Sequence, residues 1–175
     1  MENAVALLAV VVLFVAAMSW MNRRHDAKKA AEGPTDDERV DAAWDDFGFG
    51  EDPEAMRDAV DALLDAVEPS ALRRKNSVIA LAVMAARAER FEVLPDLAAR
   101  AKSLDGGCGE AVAMAVLAEA CTGDPDRAKE MYRASQSAMA GCGSCGTQGP
   151  GRYLMQEVAI MLDAMDQRVA VRVEG

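Results

Sequence analysis

The sequence predicts an all-α chain: a single N-terminal transmembrane helix followed by a small antiparallel helical-repeat domain. The N-terminal segment, up to Met21, is almost entirely apolar. The remainder is rich in Ala and Met, contains few aromatic residues, and has no extended alternation of the kind that marks strands. Two segments also align at a fixed offset. We divide the chain into residues 1–22 (transmembrane anchor), 23–51 (basic flank, linker and acidic aromatic segment), 52–168 (helical-repeat domain) and 169–175 (C-terminal tail).

The predicted anchor is the apolar run from Ala4 to Met21, in which Ser19 is the only polar residue. At ~1.5 Å per residue this run reaches ~27 Å as a helix, close to the ~30 Å of a bilayer's hydrocarbon. A cleaved signal peptide and a buried core helix are the alternatives. A signal peptide has a basic N-terminal region, which residues 1–3 lack. The pattern therefore favours a retained anchor.

The charges that follow the apolar run predict its orientation. Arg23, Arg24, Lys28 and Lys29 come directly after it, and positive charge favours the cytoplasmic side of a membrane. We therefore expect a single-pass membrane protein with its N-terminus outside and its C-terminal domain cytoplasmic. The chain carries a formal charge of −10. Because so acidic a chain repels nucleic acid, we expect no nucleic-acid partner. We expect contact with the membrane through residues 4–21, and partners that are proteins.

An acidic segment with aromatic residues follows the basic flank. Thr35 and Glu38 have capping-box spacing, which predicts a short helix over residues 36–46. Trp44, Phe47 and Phe49 are the candidate partner-binding residues. They either close the end of their own domain, the reading we favour, or form a docking motif in an acidic frame for the basic groove of a partner.

Gly and Pro residues divide the rest of the chain into further helices. Asp52-Pro53 begins the next one, since Pro is favoured at the first helical position. The apolar periodicity between successive breaks predicts helices over about 53–67, 71–90, 92–104, 109–122, 125–140 and 152–168.

Two stretches align without a gap at one fixed offset, Leu81–Ala88 with Met114–Cys121. The second unit resembles a tetratricopeptide repeat. The matching residues are Ala111 and Ala118 in the first helix, Gly123-Asp124 in the turn, and Asp126, Ala128 and Tyr132 in the second helix. It departs from the motif at Ala115-Val116, where Leu-Gly is usual, and at Ser135, where Ala is usual. The resemblance covers about residues 70–140 and implies a protein-binding scaffold without catalytic residues. An unrelated helical bundle is the alternative.

Four cysteines are the remaining candidates for chemistry. Cys108 and Cys121 begin and end one predicted helix, ~20 Å apart, and so cannot share a site. The following helix returns antiparallel, so Cys108, Cys142 and Cys145 are the candidate metal or redox residues. Plain thiols or a disulfide, a zinc site and a redox pair all stay open. We expect no cofactor: the single His is His25, in the basic flank, so a zinc site would need a carboxylate as its fourth ligand.

These observations lead to one functional prediction and two alternatives. We expect a protein without enzymatic activity that acts as a membrane-anchored protein–protein interaction scaffold, tethering a partner or helping to assemble it at the membrane. The first alternative is an accessory subunit of a larger membrane protein complex. The second is a thiol-redox or metal-binding protein that uses Cys142 and Cys145.

Overall fold

The structure is a computed structural model of the 175-residue chain. It describes residues 18–21, 24, 33–47, 52–141 and 149–173. The chain divides into two compact units, Met1–Thr35 and Asp36–Gly175. In the first unit the guanidinium carbon of Arg24 lies 5.3 Å from the centre of the Trp20 ring, a cation–π contact.

The second unit is built from α-helices throughout its described part. Two short 3₁₀ helices, Pro69–Ala71 and Phe91–Val93, precede the third and the fourth of them. This confirms the all-α prediction. In chain order the α-helices are α1 (Asp36–Asp46), α2 (Pro53–Ala66), α3 (Lys75–Arg87), α4 (Leu94–Asp105), α5 (Gly109–Thr122), α6 (Pro125–Gly141) and α7 (Gly149–Val173).

The predicted transmembrane helix falls almost wholly outside the described residues. Of the run from Ala4 to Met21, the structure describes residues 18–21 alone. Among the helices that are described, none combines the length and the apolar character needed to cross a bilayer. The N-terminal anchor therefore stays a prediction.

Helix α3 lies at the centre of the second unit. Every residue from Ser77 to Ala86 is buried, which is typical of a helix surrounded by other elements on all sides. Its neighbours are α1, α2, α4, α5 and α7. The run is rich in alanine, and small side chains allow these helices to approach closely.

Helix α5 is the second buried helix, and it packs against α4, α6 and α7 and, less extensively, against α3. The two aligned stretches, 81–88 and 114–121, fall on α3 and α5, and each of these helices packs against the helix that follows it. Ala128 in α6 is fully buried, whereas Tyr132 is half-buried against the core. The hairpins α3–α4 and α5–α6 thus correspond to the two aligned units of the sequence, while the type of repeat stays a prediction.

Helix α7 ties the two hairpins together because it packs against both α3 and α5. Leu154, Val158 and Leu162 form its buried apolar side. These residues are spaced four apart, so they lie along one face of the helix. The helix extends to Val173 and therefore includes most of the segment that the sequence analysis sets apart as a tail.

The predicted start of α3 is wrong. The sequence predicts a continuous helix over residues 71–90, but α3 begins at Lys75. The backbone at Leu72 and Arg74 is extended instead, with ψ angles of 131° and 127°. The reason is a contact with α1, described next.

Candidate protein-interaction surface

The first helix is held on the domain by a buried carboxylate. Asp37 is 8% exposed, and its oxygens accept hydrogen bonds from the backbone N–H groups of Arg73, at 3.2 and 3.1 Å, and Arg74, at 3.0 Å. These N–H groups precede α3, whose first turn lacks a capping side chain of its own. Asp37 therefore caps α3 from another helix, where the backbone at Leu72 and Arg74 is extended.

Two further carboxylates of α1 form hydrogen bonds and ion pairs with other parts of the domain. Asp41 accepts a hydrogen bond from the fully buried Ser77 at 2.9 Å and pairs with Arg74 at 2.9 Å. Asp36 accepts a hydrogen bond from the backbone N–H of Glu68 at 3.2 Å and pairs with Arg39 at 3.0 Å. Arg39 in turn donates to the carbonyl of Ala66 at the end of α2, at 2.9 Å. Polar contacts thus fix α1 against both α2 and α3.

The apolar side of α1 completes this attachment. Val40 is fully buried, while Trp44 and Phe47 are half-buried and pack against the core. The Trp44 ring meets the Tyr153 ring of α7 edge to face, with centres 5.3 Å apart and planes at 76°. The predicted docking of the segment on its own domain is confirmed for these two aromatic residues. Phe49 lies outside the described residues, and a role for any of the three in binding a partner stays a prediction.

Between α1 and α2 lies an apolar concavity of about 150 Å³, which we call the α1–α2 cleft. Its floor is buried, its walls are half-buried, and its rim is partly exposed. The floor consists of Val60 and Met84, the walls of Phe47, Met56 and Leu63, and the rim of Ala43, Asp46, Ala55 and Ala59. Such a shape can receive one apolar side chain from outside.

The segment that supplies both helices of this cleft is strongly acidic. Residues 36–66 contain twelve acidic and two basic residues. Asp36, Asp37 and Asp41 accept hydrogen bonds from within the domain. Arg90 pairs with both oxygens of Asp61 and lowers the pKa of that carboxyl. Six exposed carboxylates form no ion pair with any residue in the described part of the chain. They are Asp45, Asp46, Asp52, Glu54, Asp58 and Asp65.

No family model, curated protein or solved structure matches this chain.

Cys108, predicted from its sequence position, lies in a small polar cluster at the start of α5. It is buried, and its sulfur accepts a hydrogen bond from the ammonium group of Lys75 at 3.1 Å. Lys75 also pairs with Glu110 at 2.9 Å and lies 3.6 Å from Asp105. Burial acts to lower the pKa of Lys75, but Cys108 and Glu110 together raise it. The cluster therefore holds a charged lysine beside the thiol.

Cys121 lies at the other end of α5, as its spacing from Cys108 predicts, and packs as a half-buried thiol against the core. Burial, and after it the nearby Glu157 carboxylate, raise the pKa of Cys121 to about 12. A thiol with so high a pKa is protonated and unreactive at neutral pH. Cys121 thus behaves as a small core residue, in line with its predicted separation from the other cysteines.

Glu157 of α7 is the most buried acidic side chain among the residues described, at 1% exposed. Its Oε1 lies 2.5 Å from Nε of Arg87, at the end of α3, although neither atom has a well-aligned hydrogen-bond partner. Burial raises the pKa of Glu157 more than Arg87 lowers it. No signal in the sequence predicts this ion pair, because its partners lie far apart along the chain and carry no local motif.

The last predicted site is the one that joins Cys108 to Cys142 and Cys145. Cys142 and Cys145 lie outside the described residues, so the proposed meeting of Cys108 with them stays a prediction. Within the described ranges, His, Cys, Asp and Glu side chains nowhere form a group of three able to hold a metal ion. Lys75 and Glu110 are the neighbours of Cys108 that sequence reasoning did not find.

Proposed function

We propose that this protein is a membrane-anchored interaction scaffold, in which residues 4–21 hold the chain at a membrane and the helical domain binds a protein partner there. The anchor rests on the apolar run and the basic residues after it. The binding role rests on the helical domain and its surface.

The observation that carries this proposal is the α1–α2 cleft. It is an apolar concavity at the edge of a domain made of helical hairpins. Six exposed carboxylates in the segment that forms it make no ion pair among the residues described. Concave apolar surfaces ringed by polar groups are typical of sites that bind other molecules. The likeness of residues 110–135 to a tetratricopeptide repeat favours a protein as the molecule bound.

The first test is co-purification of the full chain from native membranes in mild detergent. We expect the chain to sediment with membranes after an alkaline carbonate wash and to retain a partner in a fixed ratio after purification. A matched variant, Leu117→Asp, disrupts the core, since Leu117 is fully buried, but leaves residues 4–21 intact. It should stay in the membrane fraction and lose the partner.

The results separate the two parts of the proposal. Release of the wild-type chain by the carbonate wash would overturn the anchor. Equal recovery of the partner with wild type and Leu117→Asp would show that the helical domain does not bind it, which favours an accessory subunit held through its span. Stoichiometric zinc in the purified chain, lost in Cys142→Ser, would favour the metal-binding alternative.

A further inference from the structure

We propose that the α1–α2 cleft binds a basic amphipathic helix of the partner protein, with one large apolar residue inserted into the cleft and Lys or Arg residues set against the carboxylates around it. This inference rests on the proposed scaffold function and names the chemistry of its ligand. It follows from the size of the cleft, the charge around it, and the rigidity of its walls.

The size of the cleft fixes the anchor residue. Cavities of about 150 Å³ lined by Leu, Ile and Phe accept a molecule as large as benzene, and the α1–α2 cleft has this volume. Its floor consists of two apolar residues, Val60 and Met84, and each of them is 1% exposed. A Leu, Ile or Phe side chain fits this space and would cover the part of the half-buried walls, Phe47, Met56 and Leu63, that otherwise meets water.

The charge of the surroundings fixes the rest of the ligand. Asp46 is part of the rim itself, and Asp58 directly precedes the rim residue Ala59. Both side chains are exposed, and neither forms a direct ion pair in the described part of the chain, although Asp58 is near enough to Arg90 to help raise its pKa. Such a field attracts a cationic segment and speeds its association. An apolar anchor flanked by basic residues is the pattern of a helix that binds in a groove.

The same charge argues against other occupants. An anionic lipid surface or a nucleic acid would bring phosphates toward unpaired carboxylates. A second copy of this domain would bring the same acidic surface against itself, because a two-fold interface uses the same patch on both partners. A basic partner segment is the occupant that the charges favour.

The cleft is held open by contacts that do not involve a ligand. On the α1 side, Asp37 and Asp41 fix the helix through the backbone before α3 and through Ser77. On the α2 side, Arg57 donates to the carbonyl of Ala88 at 3.4 Å and pairs with Glu89 at 2.9 Å. A preformed site avoids the entropic cost of ordering its walls on binding.

The test uses the full chain in detergent and a fluorescein-labelled helical peptide made of Leu, Ala and Lys, with the Leu residues on one face. The control peptide has the same composition, but its Leu residues are spread around the helix. Fluorescence anisotropy should show that the amphipathic peptide binds at least tenfold more tightly than the control peptide. Its affinity should fall as the salt concentration is raised. Equal binding of the two peptides would show that charge alone acts, and would overturn the proposal.

Two kinds of variant locate the binding site. Ala59→Trp fills the cleft from its exposed rim and should weaken binding at least tenfold, whereas Ala99→Trp, on the exposed side of α4, should leave it unchanged. Asp46→Asn with Asp58→Asn should weaken binding and flatten its salt dependence without altering any packed side chain. The matched control is Asp96→Asn with Asp126→Asn, which makes the same change in charge on α4 and α6. Unchanged binding in both cleft variants would overturn the proposal.

The remaining outcomes identify a different occupant, and each would overturn the proposal. Peptide binding that appears only when Arg23, Arg24, Lys28 and Lys29 are all changed to Gln would show that the chain's own basic flank fills the cleft. A dimer in sedimentation that Ala59→Trp abolishes would show a second copy there. If the partner of the co-purification test is retained by Ala59→Trp, the scaffold function holds and the cleft assignment alone is wrong.

Discussion

The carboxylate of Asp37 caps helix α3 by accepting hydrogen bonds from the backbone N–H groups of Arg73 and Arg74, far along the chain. Asp37 itself is almost completely buried. The start of α3 and the position of α1 therefore depend on one another. A single side chain joins the acidic segment to the helical domain.

Replacing Asp37 with Ala should destabilise the domain by about 1–3 kcal/mol, because the N–H groups of Arg73 and Arg74 lose their buried partner. Asp45→Ala is the matched control, since Asp45 is exposed on the same helix and should change stability by less than about 0.5 kcal/mol. Urea unfolding followed by circular dichroism measures both. Equal stability of the two variants would mean that α1 is not held by this contact.

The contact between Trp44 and Tyr153 predicts a coupling between α1 and α7. In a double-mutant cycle with Trp44→Leu and Tyr153→Leu, the interaction energy should be about 0.5–1.5 kcal/mol, as for other edge-to-face aromatic pairs. Trp44 emission in a Trp20→Phe background should also be blue-shifted and poorly quenched. Additive effects together with solvent-like emission would indicate that α1 is undocked and free to bind in trans.

Glu157 should make the stability of the folded protein depend on pH, with a sign opposite to that expected for most carboxylates. Its pKa is raised in the folded protein above the ordinary 4.5, so folding binds a proton there. The stability that Glu157 contributes is therefore fully present below pH 4.5 and is lost as the pH rises through the folded pKa. The difference in unfolding free energy, wild type minus Glu157→Gln, should fall with rising pH in that window. A rise instead would show that the Arg87 ion pair outweighs burial.

The raised pKa of Cys121 predicts slow alkylation. Because its pKa is about 12 against an ordinary 9.0, its thiolate fraction at pH 8 should be lower by a factor on the order of 10²–10³. Iodoacetamide labelling of the Cys121 peptide, followed by mass spectrometry, should be slower by that order in the folded chain than in urea. Glu157→Gln removes the smaller of the two causes and should speed labelling only modestly. Rapid labelling of the folded wild-type chain would place Cys121 in contact with solvent.

Much of the secondary structure follows from local signals. The capping-box spacing after Thr35 predicts α1 with the bounds that the structure has, and the Gly and Pro breaks predict α5 to the residue. Pro95 lies in the first turn of α4, as expected of a residue that lacks a backbone N–H. These features depend on residues within one or two turns of each other, so periodicity and capping rules capture them.

The candidate site is less visible in the sequence. The acidic charge and the aromatic residues of the segment mark it as unusual, and Phe47 proves to be a wall of the α1–α2 cleft. The cleft itself needs Met84 from α3 as its floor, and no local pattern links Met84 to Phe47. The pairing of Asp61 with Arg90 and of Asp36 with Arg39 likewise decides which carboxylates are left for a partner.

By itself, the sequence determined the helical class, most of the helix bounds and the excess of acid, because these depend on composition and on neighbours along the chain. The tertiary structure decided where α3 begins, which face of α1 is buried, and that α7 packs on both α3 and α5. Each of these depends on groups far apart in sequence, such as Asp37 with Arg74, or Arg87 with Glu157. Capping and ion pairing act over a few ångströms in space, and only the folded chain brings such groups that close.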